Sequence, residues 1–173
     1  MHAKRWSQFL IGTSLACSAA LGCDEDSVAR RYLSSIDSMN WSQMRSYLAD
    51  NAKYFDPTMT HYDRDEIALS GAEDIVQFWS SSSAESGTSD ISYRVTSCLE
   101  TAGYHVVNLA IDIEVSGAYW GINKDLVNIP GRLVSIIHVS ENLVVEHRDY
   151  VEYSAADKVI NELRASHGEA IVP

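Results

Sequence analysis

Residues 104–116 read Tyr-His-Val-Val-Asn-Leu-Ala-Ile-Asp-Ile-Glu-Val-Ser, and from Val107 onward Val107, Leu109, Ile111, Ile113 and Val115 alternate with Asn108, Ala110, Asp112 and Glu114. A period of two sends successive side chains to opposite faces of a strand, so one face is buried and the other meets water. Such half-buried strands belong to antiparallel sheets covered on one side. Upstream, Ile91 to Glu100 has the same strand character, and Thr101-Ala102-Gly103 supplies the turn between the two. Downstream, Arg132–Val139 and Leu143–Tyr153 read as two further strands joined by Ser140-Glu141-Asn142.

Ahead of the strands the period changes to that of a helix. Val28, Tyr32, Leu33 and Ile36 recur at helical spacing behind Asp26 or Ser27 as cap, and a short second helix carries Trp41, Met44, Tyr47 and Leu48. Ala52 to Phe55 reads as a short strand closed by Asp56-Pro57, because proline pushes the preceding residue out of helical backbone. Residues 58–69 form a polar excursion with a short strand at Ile67-Ala68-Leu69. Ser70 to Glu73 has the form of a capping box, which predicts a third helix through Ile75, Val76, Phe78 and Trp79, ended as a loop by the serines at 80–83 with Gly87 and Ser89. A final helix is expected from Ser154, with Asp157 capping its free amides and Val159, Ile160 and Leu163 on one side. Helices first and then a curved antiparallel sheet define an α+β cone, with helices on one sheet face and a pocket at the wider end.

Composition bounds what such a cone can do. The chain has 173 residues, 46% apolar and 21% charged, which is one globular domain. Its formal charge of -11 repels nucleic acid and anionic lipid alike. Lys4 and Arg5 precede an apolar stretch of Phe9, Leu10, Ile11, Leu15, Ala16, Ala19, Ala20 and Leu21, too short to span a bilayer comfortably, which reads as an export signal over residues 1–22. Ala20-Leu21-Gly22-Cys23 resembles a bacterial lipoprotein signal. That resemblance implies lipidation of Cys23, a tether over 23–27 and anchoring in the bacterial cell envelope; a domain over 28–168 and a tail at 169–173 are expected to follow. Simple cleavage leaves a periplasmic or extracellular protein instead. Loss of residues 1–22 leaves 11 basic and 24 acidic residues, a net charge of -13. With Cys23 acylated, Cys98 is the one cysteine left to pair, so neither an internal disulfide nor a multi-cysteine metal site is expected.

The helical opening Tyr32-Leu33 to Trp41, the Tyr54-Phe55-Asp56-Pro57 segment, the Phe78-Trp79 helix, the Ile129-Pro130-Gly131 turn and the strand His147-Arg148-Asp149-Tyr150 together resemble the SnoaL-like group of the nuclear transport factor 2-like superfamily. That group includes polyketide cyclases and limonene-epoxide-hydrolase-like proteins. The resemblance implies that Asp149 faces a pocket as a base or water-orienting group and that Tyr54 helps hold the water. Asp56 stands where those hydrolases carry an amide. Their Arg-x-Asp pair is represented by Ala110-Ile111-Asp112, so the carboxylate is present and the arginine is not, which weighs against the full epoxide-opening chemistry. Homodimerisation is a further implication of the resemblance.

Period two also puts His147, Asp149 and Val151 on one face of the last strand, so His147 and Asp149 enter the cone together if that face lines it. Asp149, Asp56, Tyr54 and His147 are therefore the expected catalytic set, with carboxylates withdrawing a proton or activating water and Tyr54 or protonated His147 stabilising an oxyanion. Asp112, Phe78, Trp79, Tyr119 and Trp120 are the expected substrate contacts, the aromatics because they offer large rigid apolar area. His61-Tyr62-Asp63 and His138 form no spaced ligand set on one element, and no phosphate loop, dinucleotide fingerprint or nucleophile elbow occurs, so no metal and no cofactor is expected. Three functions compete: a cofactor-independent acid-base enzyme of isomerase, cyclase, dehydratase or epoxide-hydrolase type acting on a small hydrophobic molecule, a noncatalytic ligand-binding protein, and an envelope interaction domain.

Overall fold

A computed structural model of the protein describes residues 22–62 and 64–167. The expected signal peptide up to Leu21 and the tail lie outside the described residues. Two helices open the fold, α1 (Val28–Asp37) and α2 (Trp41–Tyr47), followed by β1 (Leu48–Asp56), a 3-10 turn at Pro57–Tyr62, β2 (Ile67–Ser70), α3 (Ala72–Ser86), β3 (Asp90–Thr101), β4 (Tyr104–Ser116), a 3-10 turn at Ala118–Trp120, β5 (Leu126–Ser140), β6 (Leu143–Val151) and α4 (Tyr153–His167). Ser27 and Asn40 cap α1 and α2 by accepting from the amides of Arg30 and Gln43. Among the described residues no helix is long and apolar enough to cross a membrane.

The six strands form one curved, unclosed sheet in the order β2-β1-β6-β5-β4-β3, antiparallel throughout except that β1 runs parallel to β6. Tight turns set the register of the long hairpins: Ala102 and Gly103 adopt φ of 48° and 81° between β3 and β4, and Glu141 and Asn142 adopt 51° and 63° between β5 and β6. Positive φ at both central residues matches the twist of the flanking strands. Tyr32, Leu33 and Ile36 of α1, Met44 of α2 and Ile75 of α3 pack with Val107, Leu109, Leu133, Ile137 and Val144 into the main core on the inner face. A second cluster, Val115, Ile122, Val127, Ile129 and Ile160, lies beneath α4.

Several expectations are corrected. Of the residues expected to end α3, the serines at 80–83 remain helical and the helix continues to Ser86, with Ser80 and Ser86 donating their hydroxyls back to the carbonyls of Gln77 and Ser82; Gly87, in left-handed backbone at φ 61°, does end it. Ser70 does not cap that helix. It ends β2, Gly71 occupies the cap position, and Glu73 instead pairs with Arg45. Asp157 caps nothing and takes His61 and Tyr62 as partners. Ile129-Pro130-Gly131 is strand, not turn: Pro130 pairs with Asp112 of β4 while β6 joins β5 only from Leu133 onward, so the missing N–H costs no ladder bond on that side. Finally, Cys23 is bonded to Cys98 in a disulfide, so an internal disulfide exists and residue 23 is pinned to β3.

Candidate functional site

The inner face carries a buried polar centre around Asp149 and His147. Its position depends on a bulge. From the 141–142 turn, Val144 pairs with Val139 but Glu146 pairs with His138, leaving Val145 as an extra residue. The bulge lets Val144, His147 and Asp149 all point inward and sets Asp149 opposite Ser135 and His147 opposite Ile137. On the other side of β6, parallel pairing sets Tyr54 of β1 beside His147.

Asp149 is the hub, with 2% of its surface exposed. Its Oδ1 accepts from Ser135 Oγ at 2.5 Å and pairs with His147 Nε2 at 2.9 Å, while its Oδ2 accepts from the Tyr54 hydroxyl at 3.1 Å. The other imidazole nitrogen, His147 Nδ1, lies 3.1 Å from the Tyr32 hydroxyl of α1. Burial, and secondarily the charge of Asp149, pushes the Tyr32, Tyr54 and Tyr93 hydroxyls well above the ordinary tyrosine range, so all three remain protonated donors. With Tyr32 donating to Nδ1, the network leaves Nε2 as the nitrogen that donates to Asp149. An ionised carboxylate offers about four lone-pair positions, and three are taken. The fourth, on Oδ2 beside Tyr54, has no protein donor.

Tyr54 connects this centre to α3. Phe78 and Trp79 pack against it, tilted and edge-on respectively, with ring centroids 5.8 and 5.7 Å away. Trp79 Nε1 is buried with no hydrogen-bond partner, an unusual state for an indole donor.

Of the expected catalytic set, then, the structure joins Asp149, His147 and Tyr54 directly and places Asp56 apart. Asp56 faces inward two residues beyond Tyr54, but its Oδ1 accepts from the amide and hydroxyl of Thr58 and its Oδ2 from Tyr153, at 2.6 Å. Those bonds make it the pin of the Pro57–Tyr62 turn; Thr58 Oγ1 in turn accepts from the amide of Val151 at the end of β6. Phe78 and Trp79 border the centre. Asp112 does not: it is exposed on the outer face, bonded to Asn128 across β4 and β5, because its parity is opposite to that of Leu109 and Ile111. Tyr119 and Trp120 also fall elsewhere. Tyr119 is 51% exposed, and Trp120 packs on the second cluster beneath α4, its carbonyl held by Arg164.

The sequence gives no role at the site to Ser135, Tyr93 or Tyr153, and places Tyr32 only on the apolar side of the first helix. Ser135 left one signal, since it is the lone polar residue between Leu133 and Ile137 on the buried parity of β5. A cavity of about 500 Å³ lies on the opposite, outer face, where Arg94, Thr96, Asn108, Arg132, Tyr150 and Glu152 surround it.

Comparison with known proteins fits this architecture. The chain belongs to the SnoaL-like domain family, whose model matches residues 29–147. No curated protein matches it. Among solved structures it is similar to a candidate SnoaL-like polyketide cyclase from Shewanella denitrificans OS-217, at 14% identity over 78% of this chain and 95% of that one, with a TM-score of 0.68. It is also similar to a protein of ketosteroid isomerase-like fold from Catenulispora acidiphila DSM 44928, solved in complex with trimethylamine, at 11% identity over 84% and 97% of the chains and a TM-score of 0.61. A third is an M. tuberculosis epoxide hydrolase of the LEH-like type, at 8% identity over 80% and 90% of the chains and a TM-score of 0.62. At these identities the likeness is one of fold.

Proposed function

We propose that the protein is a cofactor-independent acid-base enzyme acting on a small, largely hydrophobic molecule, with Asp149 as the base. The observation that carries this reading is the buried Tyr32–His147–Asp149 chain, flanked by Ser135 and Tyr54, with one acceptor position of Asp149 left over. In this reading Asp149 Oδ2 takes a proton from carbon or water, and Tyr54 shifts its donation toward the oxygen on which charge develops. The adjacent Trp79 N–H meets a ligand oxygen that the protein itself does not supply. His147 and Ser135 hold the Asp149 carboxylate in place, and Tyr32 fixes the imidazole tautomer. Binding of trimethylamine by a protein of similar fold supports a small molecule as ligand.

The test is deuterium exchange at the α-carbon of a cyclic enolisable ketone, with an aliphatic epoxide as parallel substrate. Turnover of either that falls about 10²–10⁴-fold in Asp149→Asn is the expected result. Equal turnover in wild type and variant rejects Asp149 as base. A noncatalytic reading, in which the fold binds or associates without chemistry, is favoured by one observation, the open outer-face cavity with Arg94 and Arg132 on its wall. In that reading the outer face of the sheet forms a homodimer interface, and sedimentation showing a monomer at high concentration rejects it.

Export is part of the proposal. The Cys23–Cys98 disulfide supports an oxidising compartment outside the cytoplasm. A sulfur in a disulfide carries no thioether lipid, so in molecules holding this bond the protein is periplasmic or extracellular and not anchored through Cys23. Intact mass of the exported protein separates the two forms.

A further inference from the structure

The far end of the β3–β4 hairpin gathers a second set of reactive side chains, remote in function from the Asp149 centre. Val95 pairs with Leu109 but Ser97 pairs with Asn108, so Thr96 is bulged, and the bulge turns Cys98 and Glu100 onto the same face as His105 and Val107. Register then sets Glu100 opposite His105 and Cys98 opposite Val107. Cys23, four residues before the cap of α1, reaches the same spot and is bonded to Cys98, with Cα atoms 5.4 Å apart. The Cys23 sulfur, a Glu100 carboxylate oxygen and a ring nitrogen of His105 lie within 4.8 Å of one another.

His105 gives this cluster its meaning. Its side chain is 5% exposed, and its Nδ1 is buried with no hydrogen-bond partner. The Glu100 Oε2 atom is 3.6 Å away, beyond hydrogen-bonding distance. A buried imidazole nitrogen without a partner is rare, and this ring lies beside the Glu100 carboxylate and the Cys23 sulfur.

We propose that when the disulfide is reduced, Cys23, Cys98, His105 and Glu100 hold a single Zn²⁺ ion, so that metal and disulfide are mutually exclusive states of one site. Two thiolates, one imidazole and one carboxylate form a tetrahedral donor set that suits zinc. Zinc–ligand bonds of about 2.0–2.3 Å require donor atoms about 3.5 Å apart; the Cys23, Glu100 and His105 donors lie within 4.8 Å of one another, and in the proposal Cys98 turns its sulfur toward them once the disulfide opens. Reduction takes two electrons and two protons from a dithiol, which becomes a disulfide in turn. Zinc then displaces the two thiol protons to solvent, and neutral His105 binds through Nδ1 with its own proton kept on Nε2.

The experiment uses the full chain carrying Cys17→Ser, which leaves two thiols. It is reduced, freed of reductant without air, and titrated with Co²⁺ and then with Zn²⁺ against a chromophoric chelator. The expected result is one equivalent of metal, intense tetrahedral cobalt bands with thiolate charge transfer, and no binding by the oxidised protein. His105→Gln keeps both sulfurs, so its folding is verified in the disulfide form before reduction. It is expected to lose at least about 100-fold in zinc affinity, and Glu100→Gln about 10-fold. Absence of binding by the reduced protein, binding that ignores His105→Gln, or equal binding by the oxidised protein each overturns the proposal.

Discussion

Replacing Asp149 by Ala removes the acceptor for three donors at once: the Tyr54 hydroxyl, the Ser135 hydroxyl and His147 Nε2. All three residues are buried, so a donor that loses its partner also lacks water. Each buried donor left unmet costs about 1–3 kcal/mol. Hydroxyls rotate and recover part of that, so the low end applies and the sum is about 3 kcal/mol. Removing the charge also relieves its desolvation, which acts in the opposite direction, but breaking one side of a buried polar set is destabilising on balance. A loss of about 3 kcal/mol is roughly a 150-fold fall in the folding equilibrium, and with a urea slope of about 2 kcal/mol/M it moves the midpoint down by about 1.5 M. Urea unfolding followed by tryptophan fluorescence and by circular dichroism reads it. Tyr32→Phe in both backgrounds completes a cycle, where a coupling of at least about 0.5 kcal/mol is expected because the two residues meet through His147. A loss below about 1 kcal/mol with an unchanged slope refutes the reasoning, since the donors would then be satisfied by water and the interior would be wet.

Three other outcomes follow from the same contacts. Tyr32, Tyr54, Tyr62, Tyr93 and Tyr153 are all held above the ordinary tyrosine value of 10, chiefly by burial; the stability they confer is fully present below that value and is lost as pH rises through it toward their folded values, so alkaline unfolding and a late step in tyrosinate absorbance should coincide. A tyrosinate signal that completes while the protein stays folded contradicts this. Glu146 is held below its ordinary range by the hydrogen bond from Arg148, so its contribution is present above the unfolded value and disappears as pH falls through the folded one; on this partly exposed pair Glu146→Gln should flatten the acid limb by about 0.5 kcal/mol or less, checked by urea midpoints across acid pH. Gly103→Ala should destabilise by about 1–2 kcal/mol in a thermal melt, because the position has φ of 81° and a Cβ there would stand 2.7 Å from the Val139 carbonyl oxygen.

The sheet was legible where periodicity is long. Tyr104–Ser116 appears as read, since five alternating apolar residues leave one register for the buried face. The ends of α3 and β5 were not, because serine hydroxyls bond back onto helix carbonyls and Pro130 sits where a strand has a free side. In the site, the inward pairing of His147 with Asp149 follows from parity alone. Their cross-strand partner does not. Counting back from the Glu141-Asn142 turn without the Val145 bulge sets Asp149 against Val134, and only the bulge brings in Ser135. Asp112 was misplaced because the resemblance assigned it a role that its own parity on β4 denies. The disulfide was missed because one reading of Cys23 consumed the thiol that makes it.

The parallel seam between β1 and β6 makes the polar centre a late event in the life of the chain. Strands β3 to β6 are successive neighbours joined by hairpins or a short connection, so they zip up locally. Tyr32 and His147 are separated by 115 residues and Tyr54 and Asp149 by 95, and β1 with its neighbour β2 joins the rest of the sheet only through β6. Such long-range closure belongs with folding times of milliseconds to seconds, slower than helical domains. A growing chain therefore holds Tyr32 and Tyr54 without His147 and Asp149 until the last strand emerges, and a chain cut short before Leu143 keeps Tyr32, Tyr54 and Ser135 but lacks the carboxylate and imidazole that join them.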